Sequence, residues 1–416
     1  MAIYKGIDKK TYLAPQATLG TPATAGGQEL RRVTSVAKQT RQTFANNEIV
    51  SHQMSQGANL GPAATDWAFD GLLSPGTYSL PIAACLRDDF TATAASTGVS
   101  LTVAGTGSAG GTITITDAAN NFLVDGFKIG DVVRITAGTV NAGNLNNNLW
   151  LTGVTTTVLT GILLNTPQEG GTAYVPEGPI AACTITSVGK RSRPDYTTHT
   201  DKLFTLEEYF SDGAATVITE VFPDMRIGQL DIGLPASGNA TIKWSSLGLG
   251  TRVIGAATTM VTPTAASTSQ VVTSSRGALV VGGVAVDNVS AVTITVNPKL
   301  TALGPVVGSD ISPDVARGML EVTGSFTSLQ SNSTLMTYFA NGTPTTLMCA
   351  VTTDTTKNSE FVAFTLSNIK LTGDAPTDGE SGISRTYPFT AGINLAGGVA
   401  LANDQTIISI QDSLAA

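Results

Sequence analysis

The chain has 416 residues, 42% of them hydrophobic, enough for a large core spread over two or three domains, while charged residues make up only 13%. A net charge of −8 and a pI of about 4.8 argue against direct DNA or RNA binding, which needs Lys and Arg to displace counterions. An acidic wall would still let a duplex slide past. Polarity comes from Thr, Ser, Asn and Gly, whose neutral groups are cheap to desolvate when they can be re-paired, so such a surface favours subunit contact. A plain β protein with Thr-rich strands has the same composition.

Residues 1–30 are rich in Pro, Gly and Thr without a period and predict an extended arm. The N-terminal sequence MAIYKGIDKKTYLAP has no apolar core, which predicts no signal peptide. Leu30 to Gln42 carries Arg31, Arg32, Lys38 and Arg41 and predicts a long strand. Phe44–Ala58 is polar and reads as a loop, and Asp66–Leu73 returns to apolar character around Trp67 and Phe69. Ser79–Leu86 predicts a helix, with Ser79 as cap, Pro81 in the first turn, and Leu80, Ala83 and Ala84 on one face.

The style changes after Asp88. From Phe90 to about Lys190, short alternating strands such as Thr112–Thr116 and Val132–Ile135 are separated by Gly, Asn and Thr turns. Asn144–Asn148 reads as an amide-rich tip before Leu149-Trp150-Leu151. This stretch of about 100 residues predicts a small β-barrel or sandwich. It is placed as an insertion, giving a discontinuous core domain, residues 1–87 and 191–416, around an inserted domain, 88–190.

Beyond Arg191 the period-2 pattern is cleaner, as in Leu230/Ile232/Leu234, Ala240/Ile242/Trp244, Val292/Ile294/Val296, Leu320/Val322 with Phe326, and Tyr387/Phe389/Ala391/Ile393. Such alternation marks sheets with one buried face. Pro388 predicts an edge or a bulge. Thr406–Gln411 predicts a last strand, Ser331–Ala340 a second helix ended by Gly342, and Gly250–Ser275 a long loop.

Motifs for chemistry are sparse. His52 and His199 are the two histidines, and neither has a partner at metal-ligand spacing. Cys85, Cys183 and Cys349 are odd in number and far apart, which predicts small core residues in a reducing compartment and no disulfide framework. The four Asn-x-Ser/Thr sequons, at Asn239, Asn288, Asn332 and Asn341, read as chance matches in a Thr-rich chain. No apolar stretch is long enough to span a bilayer as a helix. Gly105–Gly110 fits G-x-G-x-x-G, but the residues after it read as a strand where a dinucleotide site needs a helix, so it reads as a hairpin turn. Asp88-Asp89 could bind a cation or be solvated. Glu207-Glu208 could form a catalytic pair, but solvated carboxylates or an inter-subunit bridge to Arg191 or Arg193 is the preferred reading. The basic stretch Arg31–Arg41 could meet nucleic acid, but lacks interleaved aromatics, so acidic groups of a neighbouring subunit are preferred. No cofactor, metal or catalytic residue is predicted.

Several segments in this order resemble the tail tube (major tail) proteins of bacteriophages. They are Leu30–Gln42, Asn46-Asn47-Glu48-Ile49, Trp67–Leu73 leading into Ser79–Leu86, Phe204–Phe210 with Met225–Gly228, Val307–Asp310 through Phe326, and the strands Tyr387–Ile393 and Thr406–Gln411. Gly126–Val133 and Leu149–Val154 resemble a small β domain inserted in some members. The pattern departs at Asn46-Asn47, where a Ser is common before Glu-Ile, and at Gly250–Ser275, which has no counterpart. The resemblance implies a mainly β fold, a tail-tube-like sandwich or barrel core with one or two short helices plus the inserted domain facing outward. It also implies a non-enzymatic virion protein, made in the host cytoplasm without membrane anchoring, forming stacked hexameric rings. Their channel would deliver genomic DNA without specific binding. Implied partners are further copies, the tape measure protein, the tail terminator and distal tail proteins. Arg41, Asn46, Asn47 and Glu48, together with the N-terminal arm, are the candidate ring-to-ring contacts. A capsid decoration protein, a surface-layer-like β protein, or a β-sandwich glycan hydrolase with two carboxylates are the alternatives.

Overall fold

The computed structural model describes residues 3–49, 51, 54, 56–165, 171–213, 216–286, 289–378 and 382–415. The fold is mainly β, as expected: one connected 19-stranded sheet, a closed six-stranded barrel and a two-stranded sheet, with short helices at Ser79–Leu86 and Thr334–Ala340.

The spine of the large sheet is the strand Val217–Leu234. Its first half pairs with Leu203–Ser211. Its second half lies between Thr241–Gly248 and Val289–Asn297. In one direction the sheet continues from Thr241–Gly248 to Ala58–Leu72 and then to Thr34–Ala45. In the other it runs from Val289–Asn297 through Glu321–Leu329, Ser384–Ala391, Phe361–Leu371 and Thr345–Thr352 to Gly277–Val281. The alternating residues named above sink into one core: Leu230, Ile232, Ile242, Trp244, Val292, Ile294, Val322, Phe326 and Phe389 are all buried. Phe69 stacks on Trp244 with ring centres 4.0 Å apart, and Trp67 and Tyr78 meet Trp244 edge-on. Each large apolar side chain so buried contributes about 1.5–3 kcal/mol.

Ser79–Leu86 inserts Ile82, Ala83, Cys85 and Leu86 into this core. Ser79 does not cap it. Tyr78 occupies the cap position without a side-chain bond, and Ser79 is already in the first turn. The helix stops at Arg87, a non-glycine residue with φ 59° whose guanidinium donates to the Pro298 and Gly318 carbonyls. Those two bonds offset the cost of the left-handed conformation. The second helix starts later than expected, at Thr334, and Gly342 follows it with φ 59°. Pro388 lies inside the sheet, paired with Ser325. Its other side faces the stretch after Leu371 where the ladder is interrupted before Ala375, so its missing N–H costs no bond.

Two segments are more ordered than composition implied. Lys10–Gln16, expected in a free arm, pairs residue for residue with Leu203–Tyr209 and buries Tyr12, Leu13 and Ala14. The loop after Gly250 is pinned by the fully buried Met260 and by bridges from Ala25 to Val261 and Gln28 to Thr264.

The barrel comprises Ala95–Ala104, Ile113–Thr116, Val132–Ala137, Leu149–Val154, Val158–Leu163 and Glu177–Ser187. Leu101, Ile113, Ile115, Ile135, Leu151, Leu159 and Ile185 fill it. The Gly105–Gly110 turn joins its first two strands, which pair antiparallel. At Gly105, with φ 86°, a Cβ would lie 2.3 Å from the Thr112 carbonyl oxygen, so the turn requires glycine. The flanking segments Thr91–Ala92 and Lys190–Ser192 pair with each other, and Lys190–Ser192 also pairs with Ser409–Asp412 of the large sheet. On the outside of the barrel, Val132, Trp150 and Ile162 pack against Met348, Ala350, Phe361 and Ala363.

Asn144–Asn148 is not an exposed tip. Asn144, Asn147 and Asn148 are each at most 1% exposed. Asn144 Nδ2 donates to the Val175 carbonyl, Asn147 Nδ2 to Thr172 and Asn148 Nδ2 to the Ser359 carbonyl of the large sheet. These amides replace water for carbonyls that burial would otherwise orphan.

Candidate assembly surface

The strand Thr34–Ala45 (TSVAKQTRQTFA) pairs with Ala58–Leu72 along its length. Among the described residues no strand pairs with its other side. The Ser35 carbonyl accepts the Lys9 ammonium at 2.6 Å. Its main-chain groups therefore turn away from Ala58–Leu72, and alternation directs those of Ala37, Gln39 and Arg41 the same way. The open edge is about 40 Å long. It contains no proline, bears single cations at Lys38 and Arg41, and exposes Val36. A soluble monomer rarely leaves so long an edge bare. A groove of about 390 Å³ runs beside it, bounded on the far side by Phe210, Glu220 and Arg252. Its charged groups are already matched, Lys9 to Glu208 at 2.6 Å and Arg252 to Glu220 at 2.5 Å, so a strand entering the groove meets no unpaired charge there.

The hairpin made with Ala58–Leu72 carries an apolar tip. Phe44 is 55% exposed, Ile49 100% and Leu60 67%. Among the predicted contact residues, Arg41 lies in the paired ladder opposite Ala63, 3.7 Å from Asp310. Asn46 accepts the Glu48 N–H at 3.0 Å and donates to Gln56 at 3.1 Å, closing the turn. Asn47 and Glu48 are exposed beside it. The structure thus gathers Asn46, Asn47 and Glu48 at the tip and keeps Arg41 apart from them. The other basic residues of this stretch bond within the chain: Lys38 to Asp66 at 3.5 Å, Arg31 to the Ser269 carbonyl and Arg32 to the Gly6 carbonyl.

Among the described residues the remaining candidates do not gather into one cluster. Glu207 and Glu208 are 0% and 2% exposed, which corrects the solvated reading. Glu207 accepts the N–H groups of Thr259 and Met260 at 2.9 and 2.8 Å. Glu208 takes Lys9 and the Ser35 hydroxyl, which itself accepts the Trp67 indole N–H. The pair is spent on holding three segments together, and its flanking Phe204, Leu206 and Tyr209 are the signal that the strand lies between two layers. Arg191 and Arg193 do not reach it. Arg191 pairs with Asp131 at 2.5 Å and Asp404 at 3.4 Å, and Arg193 with Asp404, tying the barrel to the C-terminal segment. Burial pushes the Asp131 carboxyl above the ordinary carboxylate range, with Arg191 opposing it. Asp88 accepts the Arg193 N–H and Asp89 pairs with Lys202, so the two point to different partners. Cys85, Cys183 and Cys349 are buried free thiols. His199 is exposed, while His52 and Asn288 lie outside the described residues. Among the described residues no His, Cys, Asp and Glu cluster could hold a metal ion, and no helix is long and apolar enough to cross a membrane.

The family model for phage tail tube protein matches residues 6–391, nearly the whole chain. No curated protein matches it. The chain belongs to the phage tail tube protein family, a structural family whose members assemble into the multimeric tube of the virion tail.

Proposed function

We propose that copies of this chain join head to tail at the Thr34–Ala45 edge, each edge and the groove beside it receiving a different strand, from the other margin of a neighbour's sheet, and closing a ring. A heterologous contact of this kind closes when its rotation closes. The rings are hexamers, and they stack through the hairpin tip at Asn46, Asn47 and Glu48 and through residues 3–9, where Ile3 and Ile7 are 79% and 90% exposed. The stacked channel delivers genomic DNA to the host cell. Residues 88–190 form an inserted domain facing outward from a core of residues 1–87 and 191–416. The protein is made in the host cytoplasm, acts without catalysis, and meets the tape measure, tail terminator and distal tail proteins. The observation that carries this reading is the unpaired twelve-residue edge beside an open groove. Negative-stain microscopy of the purified protein tests it: rings or tubes with a central hole support it, and a protein that stays monomeric at high concentration overturns it.

A further inference from the structure

Where the helix Ser79–Leu86 ends against the sheet, positive charge is in excess. A small cavity there, about 10 Å³, is walled by Arg87, Asp201, Lys202, Arg226 and Arg317. These residues come from four separate parts of the chain: the helix end, the segment after Lys190–Ser192, the strand Val217–Leu234 and the two-stranded sheet of Leu300–Ala302 with Val315–Arg317. Three of the four cations have carboxylate partners. Arg226 meets Asp314 at 2.5 Å and Asp201 at 3.3 Å. Arg317 pairs with the same Asp201, and Lys202 with Asp89. Arg87 is the fourth. Its guanidinium donates to two neutral groups, the Pro298 and Gly318 carbonyls, and among the described residues no carboxylate pairs with it. Asp88, next in sequence, turns its carboxylate to the Arg193 N–H, and nearby Lys299 is matched by Glu321 at 2.8 Å. Arg87, Lys202, Arg226 and Arg317 thus face Asp89, Asp201 and Asp314, which leaves one positive charge over.

Two N–H groups in this cluster have no acceptor. Nε of Arg87 and Nε of Arg226 are buried and unpartnered, on residues only 7% and 4% exposed. Among the described residues three arginine Nε groups are orphaned in this way, and two of the three belong to this one cavity. Buried donors of this strength are normally satisfied. We infer that the cavity binds a small monovalent anion, chloride, which accepts from the two buried Nε–H groups and balances the charge of Arg87. The size selects a monatomic ion, because a space of this order holds one sphere and not a phosphate or sulfate. Water is the competing occupant. A water must donate two hydrogens as well as accept, and the oxygens beside it, the Pro298 and Gly318 carbonyls and the Asp201 carboxylate, already accept from arginines. It would also leave the extra charge in place. The negative end of the helix opposes an anion, but its last carbonyls are occupied: Ala84 accepts the Arg87 N–H and Ala83 the Asp88 N–H. Burial, with Arg317 adding to it, pushes Arg87 below the ordinary arginine value, and the bound ion relieves both effects. The site stands apart from the ring reading and holds whether or not rings form.

Two measurements on the full-length protein test it. Crystals grown in bromide are expected to show an anomalous peak in contact with Nε of Arg87 and Nε of Arg226. A cavity that holds only water, or stays empty, in bromide overturns the proposal. The second measurement is thermal unfolding with chloride exchanged for gluconate at constant ionic strength, gluconate being too large for the cavity. The melting temperature is expected to rise about 2 °C for each tenfold increase in chloride above its dissociation constant. Arg87→Gly suits the left-handed φ of 59° and removes the guanidinium. It is expected to melt lower than the unmodified protein and to show no such rise. Equal chloride dependence in both proteins overturns the proposal, since chloride then acts elsewhere. If Arg87→Gly does not fold, the bromide map of the unmodified protein decides alone.

Discussion

Replacing Gln39 by proline removes one outward N–H from the middle of the open edge. The intrachain ladder to Ala58–Leu72 is untouched, because the main chain of Gln39 points away from it. Lys38 before it is already extended, as a residue preceding proline must be, and proline is tolerated on strand edges. The change also removes the Gln39 side-chain bond to the Gly250 carbonyl. Gln39→Ala loses that bond equally and serves as the control. If a neighbour's strand pairs with this edge, the proline deletes one hydrogen bond, about 1 kcal/mol, and strands its acceptor, about 1–3 kcal/mol. The sum of about 2–4 kcal/mol weakens each contact about 30- to 1000-fold. Sedimentation velocity reads assembly and thermal unfolding of the unassembled chain reads the fold. Gln39→Pro is expected to remain largely monomeric with the melting temperature of Gln39→Ala. Assembly of Gln39→Pro at the concentration that suffices for Gln39→Ala would refute the edge-pairing argument.

Three further outcomes are expected. Burial raises the Asp412 carboxyl to about 6, against hydrogen bonds from the Gly76 and Leu414 N–H groups. The folded chain therefore binds this proton more tightly than the unfolded chain, and the associated stability is present below about pH 4 and lost as pH rises through about 6. Asp412→Asn should remove that slope, about 3 kcal/mol at most, from urea-unfolding curves between these pH values; an unchanged slope would assign it elsewhere. Trp150→Ala takes the largest side chain from between barrel and sheet and should cost about 3–5 kcal/mol, read by denaturant midpoint. Ile49→Asp at the exposed tip should leave the melting temperature within about 0.5 kcal/mol of equivalent stability while shortening or abolishing tubes; tubes of normal length would exclude the tip from stacking.

Much of the mainly β fold was legible because alternation is a local signal. Leu230, Ile232 and Leu234 announce a half-buried strand without reference to anything else, and Ser79–Leu86 was readable as a short apolar run with Pro81 in its first turn. Features that depend on distant partners were not legible. Lys10–Gln16 looks like coil because its partner, Leu203–Ser211, lies far along the chain. Asn144–Asn148 looks like an amide-rich tip because the carbonyls of Thr172, Val175 and Ser359 that take up its amides come from elsewhere. Glu207 and Glu208 look exposed because nothing nearby in sequence names Lys9 or the Met260 N–H. The family itself was readable from the order of loose motifs, none of them sufficient alone. The open edge was not, since a strand's missing neighbour is a property of the sheet.

A cryo-EM reconstruction of assembled tubes tests the central claim most directly. The account predicts a strand from a neighbouring copy about 4.8 Å from Thr34–Ala45, continuing the hydrogen-bond ladder around a closed wall. Subunits that meet through other surfaces, with the Thr34–Ala45 edge open to solvent, would contradict it.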